Sequence, residues 1–307
     1  MKKNIVLLIL FFAITTTLIN SCKKDEESTP APVVPPVTTA RDAAVLDYNT
    51  NYLGTNLVSS GWTGSAFSCT PGTIPPATNA AIIKRINYFR RMVGLNDNCT
   101  LDTTMYAEEQ QTALMMDANS QLSHTPPNTW SCWTTTGSSG AGSSNLALGA
   151  HSTGAITLFI NDFGASNFAV GHRRWLFHSP KTVFSCGSTN NAMAVYVFGA
   201  GGNTTIPSFI AYPPKGYVPQ QLVFARWSFS IPGADFSLAS VVMSGPSGSV
   251  PLTINSIVNG YGDNTIVWEP TGINTSSTSD VNYTVTISGI SGATNASYTY
   301  NVTVIRP

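Results

Sequence analysis

The sequence predicts an α+β protein in two folded parts, a mixed helix-and-strand half followed by an all-β half. Three observations lead there. The chain has 307 residues, about twice a common domain size of roughly 150. Apolar residues recur at helical spacing only between positions 78 and 163. After Pro207 the stripes stop, and short apolar runs alternate with Gly, Pro, Asn and Ser turns about every ten residues.

Taken in order, residues 78–94 form the clearest helix: Ile82, Ile86, Phe89 and Val93 are spaced four, three and four apart, while Lys84, Arg85, Arg90 and Arg91 lie mostly off that stripe. Thr78 or Asn79 can cap its start and Gly94 its end. A second helix is expected over 104–121, with Ala107, Leu114, Ala118 and Leu122 on one face, and a third over 155–163 through Ile156, Phe159, Ile160 and Phe163. The Gly/Ser/Thr run 134–144 reads as a loop, and 192–198 as a buried strand before the breaker 199–203. Six strands follow at 221–230, 239–244, 250–258, 264–268, 281–288 and 297–305, with Tyr283, Val285 and Ile287 on one face and Tyr298, Tyr300, Val302 and Val304 on another. About a hundred residues of such strands fit an immunoglobulin-like sandwich, with Trp227 and Trp268 between its sheets.

Composition narrows the function. Charged residues are only 10%, and Lys+Arg 15 balances Asp+Glu 15. No basic field exists to hold nucleic acid. Ser 33, Thr 37 and Asn 24 supply 94 residues of the chain, giving a polar surface that is not ionic.

At the N-terminus Lys2 and Lys3 precede an apolar run over 5–14, too short to span a hydrocarbon layer of about 30 Å, which reads as a signal peptide over 1–21. Ser21 before Cys22, with aliphatic residues upstream, resembles the bacterial lipoprotein cleavage box, in which Cys22 becomes the lipidated first residue; ordinary cleavage with an unpaired Cys22 is the alternative. The charged residues after Cys22 look like a surface-export tether, and the proline-rich stretch to position 40 is a spacer. The expected partner is a membrane, through this anchor, at the outer membrane or cell surface. Domain limits follow at 22–40 for the linker, 41–205 for the first body and 206–307 for the second.

Four further cysteines, Cys69, Cys99, Cys132 and Cys186, suit two disulfides in an exported chain. Of the three connectivities, Cys69 with Cys99 and Cys132 with Cys186 is preferred. No Cys-x-x-Cys pair points to a thiolate zinc site.

The chain holds four histidines, and two stand in distinctive contexts, Leu122-Ser123-His124-Thr125 and Val170-Gly171-His172-Arg173-Arg174-Trp175. Together with Asn87-Tyr88-Phe89-Arg90, Leu101-Asp102, Ser144-Asn145-Leu146-Ala147, Asp162 and Phe184-Ser185-Cys186-Gly187, this order over residues 78–203 resembles the CAP superfamily of cysteine-rich secretory proteins, antigen 5 and pathogenesis-related proteins. The resemblance implies an α-β-α sandwich with a cleft where two histidines and two acids converge. His124 and His172 match the histidines, and Asp162 matches the acid after the third helix, where the family usually has glutamate. Ser144 stands where the other acid is expected, beside Asn145, so one carboxylate is missing. His124, His172 and Asp162 are the candidate ligands for a Zn²⁺ ion. The resemblance also puts the Arg173-Arg174-Trp175 run at the start of a strand, with Trp175 in the core, although an anion-binding or cation-π patch is an alternative.

No Gly-x-Ser-x-Gly elbow occurs, and sequence provides no base for a serine nucleophile. His151 and His178 are expected on the surface, and Asp235, Asp263, Asn264 and Glu269 lack the spacing of a calcium loop. Three functions remain: a non-enzymatic module binding an apolar or glycan ligand, with the β half as spacer or adhesion partner; a metal-assisted hydrolase of peptide or cell-wall material; and a display protein with a vestigial cleft.

Overall fold

The computed structural model describes residues 39–199, 201–202 and 204–307. The expected signal peptide, Cys22 and most of the expected spacer lie outside them. Helix α1 (Ala40–Asp47) starts at Thr39, whose hydroxyl accepts from the Asp42 N–H, and runs on into a π-helical turn at Tyr48–Tyr52; a long irregular segment then precedes α2 (Pro76–Met92). Then come β1 (Thr100–Leu101), α3 (Tyr106–Asn119), α4 (Thr135–Ser143), β2 (Ser144–Leu148), α5 (Ser152–Asn161), α6 (Gly171–Leu176), β3 (Val183–Ser188) and β4 (Ala192–Tyr196).

These strands make one sheet in the order β1-β3-β4-β2, with β1 parallel to β3 and the other pairs antiparallel. Its two faces are covered by different helices. Met193 and Val195 join the cluster that contains the α2 and α5 stripes, whereas Ala192 and Ala194 join Met115 and Met116 of α3 and Ala141 of α4. Alternation along β4 thus sorts side chains into two cores, giving the expected α-β-α layering. Ile82, Ile86, Phe89 and Val93 are all buried, as their spacing predicts.

Other expectations change. The Gly/Ser run 134–144 is the helix α4, capped by Thr134 accepting from the Gly137 N–H. Its glycines permit close approach to α3: a Cβ on Gly140 would lie 2.3 Å from Thr112 Oγ1. Because α3 is covered by both the sheet and α4, its buried set is Glu109, Gln110 and Thr112 through Met116, not the stripe ending at Leu122, which is exposed. Arg85 and Arg90 are fully buried off the apolar stripe of α2. Arg85 donates to the Tyr52 and Thr153 carbonyls, and Arg90 to those of Asn96, Leu176, His178 and Lys181. The Arg173 run is helical, and Trp175 is half-buried.

The disulfide joins Cys69 to Cys132, while Cys99 and Cys186 are buried free thiols. The preferred pairing fails because Cys99 and Cys186 are seated at the buried sheet, apart from each other, while Cys69 and Cys132 lie in two turns that meet. Thr100 pairs with Val183, seating Cys99 beside the Lys181 carbonyl at 3.7 Å, whereas Cys186 lies farther along β3 against Asn79.

The C-terminal part is all β: β5 (Ile210–Tyr212), β6 (Gly216–Pro219), β7 (Trp227–Ser230), β8 (Ser240–Gly245), β9 (Gly248–Ser249), β10 (Leu252–Ile254), β11 (Thr265–Pro270), β12 (Val281–Ser288) and β13 (Ser297–Ile305). Two sheets form, β10-β11-β7-β5 and β6-β13-β12-β8-β9. Rings from each meet between them: Trp227 approaches Tyr283 at 6.2 Å, and Phe229 approaches Tyr298 at 5.5 Å. The described residues make one compact unit, and one buried apolar cluster runs from α2 through both of these sheets.

Candidate functional site

The site begins where α5 stops. Asp162, at φ 52°, ends the helix in the left-handed region that Asp tolerates better than most residues. Its buried carboxylate faces the start of α6: Oδ2 accepts from the backbone N–H groups of His172 at 2.9 Å and Arg173 at 3.3 Å, and Oδ1 accepts from His172 Nδ1 at 2.7 Å. Phe159 stacks on the imidazole at 5.3 Å. Val170, just before, also has a left-handed φ of 46°, unfavourable for a β-branched residue, so the turn that delivers His172 is strained.

His124 is held from a different direction. Its Nδ1 lies 2.8 Å from the Ala141 carbonyl of α4. A carbonyl oxygen only accepts, so Nδ1 carries the proton, and in the neutral ring Nε2 is the acceptor. The same holds for His172 opposite the Asp162 carboxylate. Two imidazoles therefore present Nε2.

Ser144 and Asn145 open β2 beside them. Asn145 donates to the His172 carbonyl at 2.9 Å, bracing α6. The Ser144 hydroxyl contacts Glu109 Oε2 of α3 at 2.6 Å. Glu109 is 0% exposed, and its Oε1 has no partner. Burial pushes its carboxyl up to about 8; the Ser144 hydrogen bond opposes that shift and Glu108 adds to it.

His124, Ser144, Asn145 and His172 line a cleft of about 310 Å³. Aromatic rings form its walls. Trp175 meets Phe198 edge-on at 4.8 Å, and Tyr261, from the β part, also lines the cleft. Tyr261 lies on Gly171, where a Cβ would come within 3.0 Å of the ring. Arg174 holds its loop by donating to the carbonyls of Val258 at 2.7 Å and Asp263 at 3.1 Å. The buried Asp263 carboxylate accepts from His178 Nδ1 and the Ser179 N–H, each at 3.0 Å, so His178 is tied into the fold. Arg173 and Arg174 are buried, with guanidinium groups over the Tyr212 and Tyr261 rings at 4.7 and 5.5 Å.

The donor set fits a zinc centre poorly. Asp162 spends both oxygens on α6 and is not among the cleft residues, and the Ser144 hydroxyl is committed to Glu109. Two imidazole nitrogens remain, fewer than the three protein ligands of an ordinary catalytic zinc. Among the described residues no group of three His, Cys, Asp or Glu side chains is disposed to hold a metal. Asp162 is thus a support for His172, not a third ligand beside it. No serine in the cleft is hydrogen-bonded to a histidine: Ser143 donates to helix carbonyls and Ser144 meets Glu109.

Sequence reasoning finds His124, Ser144, Asn145 and His172, which do share the cleft. It misses Glu109, whose only signal is a carboxylate one step from Gln110 on a helix whose middle turns become buried, and Tyr261, which arrives from a distant loop.

No curated protein and no solved structure matches the chain. Residues 83–200, which carry both histidines and the whole α3 to β4 run, match the family model described as CAP, Cysteine-rich secretory protein family. This segment is a CAP domain, and it is followed by an all-β region outside the match.

Proposed function

We propose that the protein is a non-enzymatic binding module whose cleft takes a hydroxyl-rich ligand, a glycan, at the cell surface. The observation that carries this reading is the pair of imidazoles with Nδ1 tied back, each presenting an Nε2 acceptor beside Trp175, Phe198 and Tyr261. Sugar rings offer apolar C–H faces to aromatic rings and hydroxyl donors to such acceptors. Hydrolysis lacks support, because no cleft serine has a base and the metal-ligand set stops at two nitrogens. The Tyr261 loop makes the β region a wall of the site; we assign that region an immunoglobulin-like sandwich.

Surface placement rests on Cys22 as the lipidated residue. Labelling with an alkyne fatty acid is expected to tag the chain and to fail in Cys22→Ala.

Binding is tested by NMR titration of the histidine ring protons with chitotetraose, cellotetraose, maltotetraose and mannotetraose. Saturable shifts at His124 and His172 from at least one, weakened about tenfold in Tyr261→Ala, are expected. If none of the four shifts either ring, the glycan reading falls.

A further inference from the structure

The contact between Ser144 and Glu109 has a directional consequence. Glu109 Oε1 is enclosed without a partner, and Oε2 lies 2.6 Å from the Ser144 hydroxyl. A proton on Oε1 would be a buried donor with nothing to receive it, whereas a proton on Oε2 has Ser144 Oγ as its acceptor. When the acid is neutral, it therefore donates to Ser144, and the Ser144 proton is free to turn elsewhere. When the acid is ionised, Ser144 must donate to it and can offer only lone pairs. Ser144 is 5% exposed and lines the cleft, so the direction of this one hydrogen bond is felt there.

We propose that Glu109 is a positioning residue that sets the hydrogen-bond polarity of Ser144: with the carboxyl protonated the cleft floor offers a donor, and with the carboxylate it offers an acceptor. The two imidazole nitrogens are acceptors, so the protonated state presents a mixed donor and acceptor set, complementary to a vicinal diol. The ionised state presents acceptors alone above a buried negative charge. This last step rests on the binding reading; the Ser144 switch does not.

The groups that act on Glu109 come from each neighbouring element. Glu108 on α3 disfavours its ionisation. Cys186 of β3 interacts with it, but burial pushes that thiol up to about 12 and keeps it neutral. Ser144 of β2 provides the one hydrogen bond. Among the described residues Glu109 forms no ion pair, so no fixed cation pins it in the charged state.

An infrared titration of the full chain without ligand tests the switch, comparing wild type, Glu109→Gln and Ser144→Ala. A protonated-carboxyl band is expected at pH 6.5, disappearing with a midpoint near 8, absent from Glu109→Gln and moved to higher frequency in Ser144→Ala through loss of the acceptor. A wild-type chain with no such band sinks the proposal, as does a band that Ser144→Ala leaves in place. Should Glu109→Gln not fold, ¹³C-carboxyl labelling of glutamate in wild type and Ser144→Ala reads the same titration by NMR. With chitotetraose as probe, affinity is expected to fall about tenfold more from pH 6.5 to 9 in wild type than in Glu109→Gln, a comparison in which the cleft imidazoles cancel. Absence of chitotetraose binding beside an intact infrared titration would count against the glycan reading and leave the switch standing.

Discussion

Asp162 grips His172 at two points, the ring Nδ1 at 2.7 Å and the backbone N–H at 2.9 Å, so one carboxylate fixes both the rotation of the imidazole and the start of α6. The Nδ1–H tautomer, the minor form of a free imidazole, is therefore expected for His172 in ¹⁵N NMR. Asp162→Ala should shift the ring toward the Nε2–H form and destabilise the fold by about 2–3 kcal/mol, because buried N–H groups lose their acceptor. An unchanged tautomer in that variant would refute the assignment.

The buried carboxyl of Glu109 makes stability depend on pH. Its folded value of about 8 lies above the usual glutamate value, so its contribution is complete below about 4.5 and is lost as pH rises through 8. Wild type should lose roughly 1 kcal/mol per pH unit relative to Glu109→Gln between those limits, and the difference should level off above them. Urea unfolding of both chains at pH 5, 7 and 9 measures this. Lys181, pushed down to about 8 by burial, acts with the opposite sign above pH 8 and cancels in the comparison. A difference independent of pH would rule the shift out.

Cys69–Cys132 closes a loop across a sequence separation of 63. Cys69→Ser with Cys132→Ser is expected to cost about 2–4 kcal/mol in thermal unfolding. Non-reducing peptide mapping should find Cys99 and Cys186 unmodified by iodoacetamide in the folded chain and alkylated once it is unfolded. A 69–99 or 132–186 peptide would contradict the structure.

Asp263→Ala removes the acceptor of the Ser179 N–H and of His178 Nδ1 and loosens the loop that carries Tyr261. Loss of about 2–3 kcal/mol is expected, with shifted NMR signals at His172, whose neighbour Gly171 lies under the Tyr261 ring. Movement of the melting temperature without any change at His172 would argue that the loop does not support the site.

Legibility of the fold in the sequence followed exposure. α2 has one apolar stripe, and its four positions found it; β12 and β13 have one wet face, and their ends fall where alternation put them, at Val281–Ser288 and Ser297–Ile305. β2 and β3 are buried on both faces, so they show no alternation to read. α4 escaped because Gly137, Gly140 and its serines have weak helix propensity, and packing on α3 overrides it. The histidines were legible from their neighbours in sequence. Glu109 was not, since a helical glutamate ordinarily faces water, and neither was the Cys69–Cys132 bond, which depends on where two loops meet.

Gly262 sits at φ 44° with a would-be Cβ 2.6 Å from the Arg174 carbonyl. Any side chain there would lift the loop off α6 and swing Tyr261 away from the imidazoles. Divergence in what the cleft accepts can therefore arise from drift in a segment outside residues 83–200, while every histidine-bearing stretch stays as it is.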